Sequence, residues 1–165
     1  SAGVRWGTST LKGDWITMED VMTQCSMTYA ETYVSEMTGE EIHNMLEGVA
    51  DNLFDPDPYL QSGGDMVRVG GLDYTIDPSK KLGERITNIV LDDGRKLDAK
   101  TKYKVSGWAT VNRTPEGRLM WDVVRDYILA NKSKDNVLRL PKINDPELIG
   151  VMSNPGIADY QGKAS

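Results

Sequence analysis

Apolar residues recur at steps of three and four along one stretch, at Ile42, Met45, Leu46, Val49, Ala50 and Leu53, with polar residues between them. This spacing gathers them into one stripe about three turns long and predicts the clearest helix of the chain, its stripe facing the core. Thr38-Gly39-Glu40-Glu41 opens it as a capping box, a hydroxyl acceptor followed three residues later by a carboxylate. Thr17-Met18-Glu19-Asp20 has the same form and predicts a short helix to about Gln24. Between the two, Met27 to Met37 holds Tyr29, Thr32, Tyr33 and Val34 and is β-prone.

Gln61 to Ile76 breaks the helical pattern. Gly63-Gly64 and Gly70-Gly71 bracket a Met66 to Val69 run carrying Arg68, and an alternating Leu72, Tyr74, Ile76 strand follows. Glycine pairs permit positive φ and close approach, so this segment can bend sharply and hold Arg68 near a tightly fitted group. A strand with a bulge at each end and a solvent-facing arginine is the other reading. Asp77-Pro78 ends the strand, and Arg85 to Leu91 running into Asp92-Asp93-Gly94-Arg95 predicts a strand and a tight hairpin turn. Tyr103 to Val111, with Trp108, is a further strand. Gly117 to Lys132 reads as a helix with Leu119, Met120, Val123, Val124, Tyr127 and Ile128 inward. Beyond Asn136 come short β-prone pieces broken by Pro141, Pro146 and Pro155, then a polar tail, 161–165. Helices and hairpins in this order give an α+β domain with a mixed or antiparallel sheet and packed helices, not a doubly wound one.

Composition narrows the function. With 165 residues and 39% hydrophobic content, one domain with a real core is expected, spanning 1–160. Lys+Arg 19 against Asp+Glu 25 leaves a net charge of −6 with scattered basic residues, which argues against nucleic acid as a partner. No apolar run approaches membrane-spanning length. The single cysteine, Cys25, forms no internal disulfide and reads as a small core residue. The first residues, Ser1 to Gly7, begin inside a glycine-containing turn without an approach strand, so a piece of a longer protein is expected.

The inventory of chemistry is thin. The one histidine, His43, lies beside Glu40, Asn44 and Glu47 and reads as a solvated surface residue, because no second histidine exists to share a metal. Asp51, Asp55 and Asp57 lack the spacing and terminal glutamate of a calcium loop, with Pro56 and Pro58 between them, and read as a rigid acidic helix exit. There is no paired nucleophile and base and no phosphate-cradling loop.

Several spaced motifs in one order carry a resemblance. Gly3-Val4-Arg5, Gly13-Asp14-Trp15-Ile16-Thr17-Met18-Glu19-Asp20-Val21, Met37-Thr38-Gly39-Glu40-Glu41-Ile42, Met45-Leu46-Glu47, Gly70 to Pro78 and Thr101-Lys102-Tyr103-Lys104-Val105 resemble the C-terminal domain of the 5'-nucleotidase family, over roughly the first two thirds of the chain. Within that family Arg5-Trp6-Gly7-Thr8, Ile16 to Val21, Ala50 to Phe54, Gly63 to Gly71 and Gly107-Trp108-Ala109 look like the SoxB-type thiosulfohydrolase branch. Asp65 and Met66 stand where nucleotide-cleaving members carry a base-stacking aromatic, and the later Gly-Gly-Asp-Gly-aromatic segment is missing.

The resemblance implies a division of labour. An amino-terminal metallophosphatase-like domain would carry two manganese ions that activate water, while this domain, binding no cofactor and inactive alone, would close over them and bind substrate. It further implies a periplasmic protein that removes a sulfonate as sulfate from a cysteine S-thiosulfonate on the arm of a SoxYZ carrier. A guanidinium binds two sulfonate oxygens side by side, which makes Arg5 the first candidate for the anion. Trp6 is either an indole donor or wall for the tail, or a core aromatic. Arg68 lines the channel or forms a structural ion pair, Asp65 accepts from the carrier arm or pairs an arginine, and Gly63 and Gly64 leave room for an extended peptide. Trp108 fits an inner wall. Two other functions stay open: a non-catalytic module that holds a protein arm along a sheet edge, and the C-terminal domain of a nucleotidase-like phosphoesterase.

Overall fold

A computed structural model describes residues 9–11, 13–25, 29–108, 117–138 and 144–150. In chain order the elements are α1 (Met18–Gln24), β1 (Thr32–Thr38), α2 (Gly39–Phe54), β2 (Leu72–Ile76), β3 (Ile86–Leu91), β4 (Lys102–Trp108), α3 (Met120–Asn131) and β5 (Glu147–Leu148). Both capping boxes form as the sequence predicts. The Asp20 amide donates to the Thr17 hydroxyl at 3.2 Å and the Thr17 amide to Asp20 Oδ2 at 2.8 Å, and Thr38 and Glu41 repeat the exchange at 3.2 and 2.7 Å.

The strands make two sheets. β1 and β4 pair antiparallel from Thr32 opposite Trp108 to Thr38 opposite Lys102. β2 lies between β3, antiparallel with a register shift at Asp73 to Thr75, and β5, which runs parallel to it. The architecture is mixed α+β, as expected. The core forms where the α2 stripe, Ile42, Leu46 and Ala50, meets Tyr74, Ile76, Ile86 and Ile89. Met37, Tyr103 and Val105 pack on this cluster from the other sheet. Apolar area removed from water at this junction is the main favourable term holding the helix to the sheet.

The packing of these elements departs from the sequence reading at three places. Met45, counted in the core stripe, is exposed at its margin. Met66 to Val69 pairs with no strand among the described residues: Met66, Val67 and Val69 instead tuck individually against the core, and regular pairing begins at Leu72. Among the described residues α3 buries none fully and turns Tyr127 outward, because it packs mainly against the short α1. Trp108 is half-buried as the last residue of β4, and the strand's predicted continuation to Val111 lies outside the described residues. Cys25, at the end of α1, is buried, and that burial pushes its thiol pKa up.

Candidate functional site

The candidate loop hangs from the end of α2. Pro56 cannot continue a helix, and Asp55 caps it in an extended conformation, with its amide donating to Asp51 O at 3.0 Å. The Asp55 and Asp57 carboxylates then accept from the amides of Asp57 and Tyr59 at 2.8 and 2.9 Å, which makes two successive Asx turns. The chain folds back so that Gly63 N–H donates to Asn52 O at 3.0 Å, and the Gln61 side chain donates to Asp55 O at 2.7 Å. Gly63 and Gly64 take φ of +77° and +105°, the left-handed region in which a Cβ is strained.

From there the loop runs along the core, with Met66, Val67 and Val69 half-buried against it and Asp65 and Arg68 exposed. Gly71, at φ +89°, turns the chain into β2, and its carbonyl accepts from the Asp92 amide at 3.1 Å. Gly63, Gly64, Asp65 and Arg68 are therefore brought together on one outward-facing loop. Arg5 and Trp6 lie outside the described residues.

Three side chains that sequence reasoning read as surface or strand residues govern this region. Arg85, 1% exposed, sends Nε to Lys80 O at 2.7 Å, Nη1 to Asp51 Oδ1 at 2.5 Å and Nη2 to Phe54 O at 3.2 Å. Glu47, 2% exposed, accepts from the amides of Ile86 and Gly83 at 2.6 and 2.8 Å. His43 Nε2 lies 3.0 Å from Ile86 O, so that nitrogen carries the hydrogen, and the ring is partly buried instead of solvated. One signal was available for Glu47, which sits next to Leu46 and four residues after His43 on the margin of the apolar stripe. Nothing local marked Arg85, whose partners are up to 34 residues away.

A concavity of about 370 Å³ lies between the first turns of α2, the start of β3 and residues 96–99, with Glu40, His43, Asn88 and Lys96 among its lining groups. Among the described residues no three His, Cys, Asp or Glu side chains converge on a point where a metal ion would sit. No helix of the described residues is long and apolar enough to cross a membrane.

Comparison with known proteins places this geometry in a family, since residues 1–121 match the model of the 5'-nucleotidase, C-terminal domain. The chain belongs to that family. A search of curated protein sequences returned no match. Among solved structures, the sulfate thiohydrolase SoxB of Thermus thermophilus, in complex with glycerol, is similar over 92% of this chain with a TM-score of 0.77 and 31% identity. A 5'-nucleotidase precursor, also from Thermus thermophilus, is similar over 83% of the chain, with a TM-score of 0.60 and 17% identity, a likeness of fold. The chain spans 28% of the length of each of these two proteins.

Proposed function

We propose that this chain is the substrate-binding C-terminal domain of a periplasmic, SoxB-type thiosulfohydrolase acting on a SoxYZ carrier. The observation that carries the reading is the similarity to a sulfate thiohydrolase, at 31% identity over 92% of the chain, against 17% for the nucleotidase of the same family. Asp65 and Met66, on a loop whose Met66 side chain turns into the core, support a substrate without a base to stack.

In this reading the reaction is a hydrolysis. Water supplies the fourth oxygen of sulfate, the sulfur–sulfur bond breaks, and the departing sulfur stays on the carrier cysteine and takes up a proton. A manganese pair in the remainder of the protein would activate that water. The part proposed for this domain is binding. Arg5 would hold the sulfonate oxygens, with Trp6 beside the thiosulfonate tail. Arg68, Asp65 and the Gly63-Gly64 turn would line the path of the carrier arm.

The test is sulfate release from carrier-bound thiosulfonate by the full-length protein. Arg5→Ala is expected to lose most turnover, on the order of a hundredfold, while fold and metal content persist. Unchanged turnover removes Arg5 from the site. Hydrolysis of nucleotides in place of carrier thiosulfonate would assign the chain to the phosphoesterase branch, and carrier binding without any hydrolysis would make it a holding module.

A further inference from the structure

We infer that Arg85 is a positioning residue for the Gly63 to Val69 loop, acting through the end of α2; this rests on the reading of that loop as the path of the carrier arm. A helix leaves its last four carbonyls without intrahelical donors, and a basic side chain in the last turn is one usual remedy. α2 has none. Its end is completed from outside, by Gly63 N–H on Asn52 O and by Arg85 Nη2 on Phe54 O. The candidate loop and the buried guanidinium are thus two halves of one helix cap.

The guanidinium suits this task because its donors diverge in a fixed plane. Two of them reach the helix, at Asp51 and Phe54, and a third the Lys80 carbonyl in the turn before β3, so the end of α2 is riveted to the sheet. Arg85 is itself held on both sides, with its carbonyl accepting from Asp77 N–H at 2.9 Å and the next amide, Ile86, donating to Glu47. The positive charge also lies at the negative end of the α2 dipole. Asn52 and Asp55, whose carbonyls carry the Gly63 and Gln61 ties, are in the turn that Arg85 grips. Loss of the grip frees the loop to move relative to the sheet, while chemistry carried out elsewhere in the protein is untouched.

The test uses the full-length protein with Arg85→Lys, which keeps the charge and cannot bridge three acceptors. The expected result is a KM for the carrier-bound substrate raised about tenfold with kcat within about twofold of wild type, and exchange of the Gly63 amide hydrogen accelerated by at least about tenfold. A folded Arg85→Lys protein with unchanged KM, or with wild-type exchange at Gly63, overturns the assignment. Asp51→Asn weakens the Arg85 Nη1 tie at its partly exposed partner and keeps an acceptor oxygen, and serves if Arg85→Lys does not fold. It should raise KM by about threefold at constant kcat, and an unchanged KM overturns the proposal equally. Should the wild-type protein release no sulfate from the carrier, the functional reading fails on its own. The Gly63 exchange rate then still decides whether Arg85 holds the loop.

Discussion

Glu47 and Ile86 are joined across the helix–sheet junction: a buried carboxylate oxygen accepts from the first amide of β3 at 2.6 Å. His43, one turn earlier, meets the carbonyl of the same residue. Two side chains of α2 thus satisfy both polar backbone groups of Ile86 on the side where a neighbouring strand would otherwise bond. Glu47→Ala leaves the Ile86 and Gly83 amides without their acceptor in a buried setting, and should cost about 2–4 kcal/mol in chemical denaturation. Glu47→Gln, which keeps one acceptor, should cost about half as much. Equal stability of all three proteins would refute the role given to this carboxylate.

Gly39, the first residue of α2, is glycine for want of room. A Cβ there would lie 2.8 Å from the Asp98 carbonyl carbon, because the 97–101 segment closes over the helix start through Gly39 N–H to Thr101 O and Glu40 N–H to Ala99 O. Backbone cannot rotate aside as a side chain does. Gly39→Ala should destabilise by roughly 2 kcal/mol or more, whereas Gly48→Ala, with open space around the added methyl, should be neutral or stabilising. Thermal melts of the two proteins give the comparison.

The capping boxes predict a pH dependence. Hydrogen bonds from the Thr38 amide and hydroxyl hold the Glu41 carboxyl below the usual carboxylate range, and the Thr17 hydroxyl and amide do the same for Asp20. Since both folded-state values are lowered, their contribution is complete above the ordinary carboxylate pKa and is lost as the pH falls through the folded one. Glu41→Gln and Asp20→Asn combined should therefore melt below wild type at neutral pH and approach it in acid. Parallel curves across the whole range would contradict the assignment. Thr38→Ala should cost about 1 kcal/mol at neutral pH.

Tyr74 carries its hydroxyl into the core, where that oxygen is buried without a hydrogen-bond partner among the described residues, and desolvation raises its pKa. An unanswered hydroxyl costs more than the packing it adds. Tyr74→Phe is expected to raise the melting temperature by about 2 °C, in line with roughly 1 kcal/mol regained. A marked drop would reveal a partner for the hydroxyl.

What the chain discloses in one dimension is what depends on near neighbours. Both capping boxes, the Ile42–Leu46–Ala50 stripe and the Asp92 to Arg95 turn, closed by Leu91 N–H to Arg95 O at 2.8 Å, form from residues within a few positions of each other. The burial of Glu47 and Arg85 is not legible locally, because most of their partners are backbone groups and a carboxylate more than thirty residues away. Met66 to Val69 looked like a strand because its residues are β-prone, yet no second strand among the described residues lies alongside to pair with it. Of the candidate site, the glycine turns and the outward Asp65 and Arg68 could be read from residue type, while the helix cap that holds the loop could not.

β5 is only two residues long, but it bonds to β2 from the far end of the described chain, with Thr75 Oγ1 to Glu147 Oε2 at 3.0 Å and Ile149 N–H to Ile76 O at 2.9 Å. A protein ending before Asn144 would keep every helix described above and still present the bare margin of β2, with Tyr74 to Ile76 along it. Such a margin is a template on which a second molecule adds its own strand. Among the described residues, the shortest strand thus covers the margin on which a second molecule's strand would add.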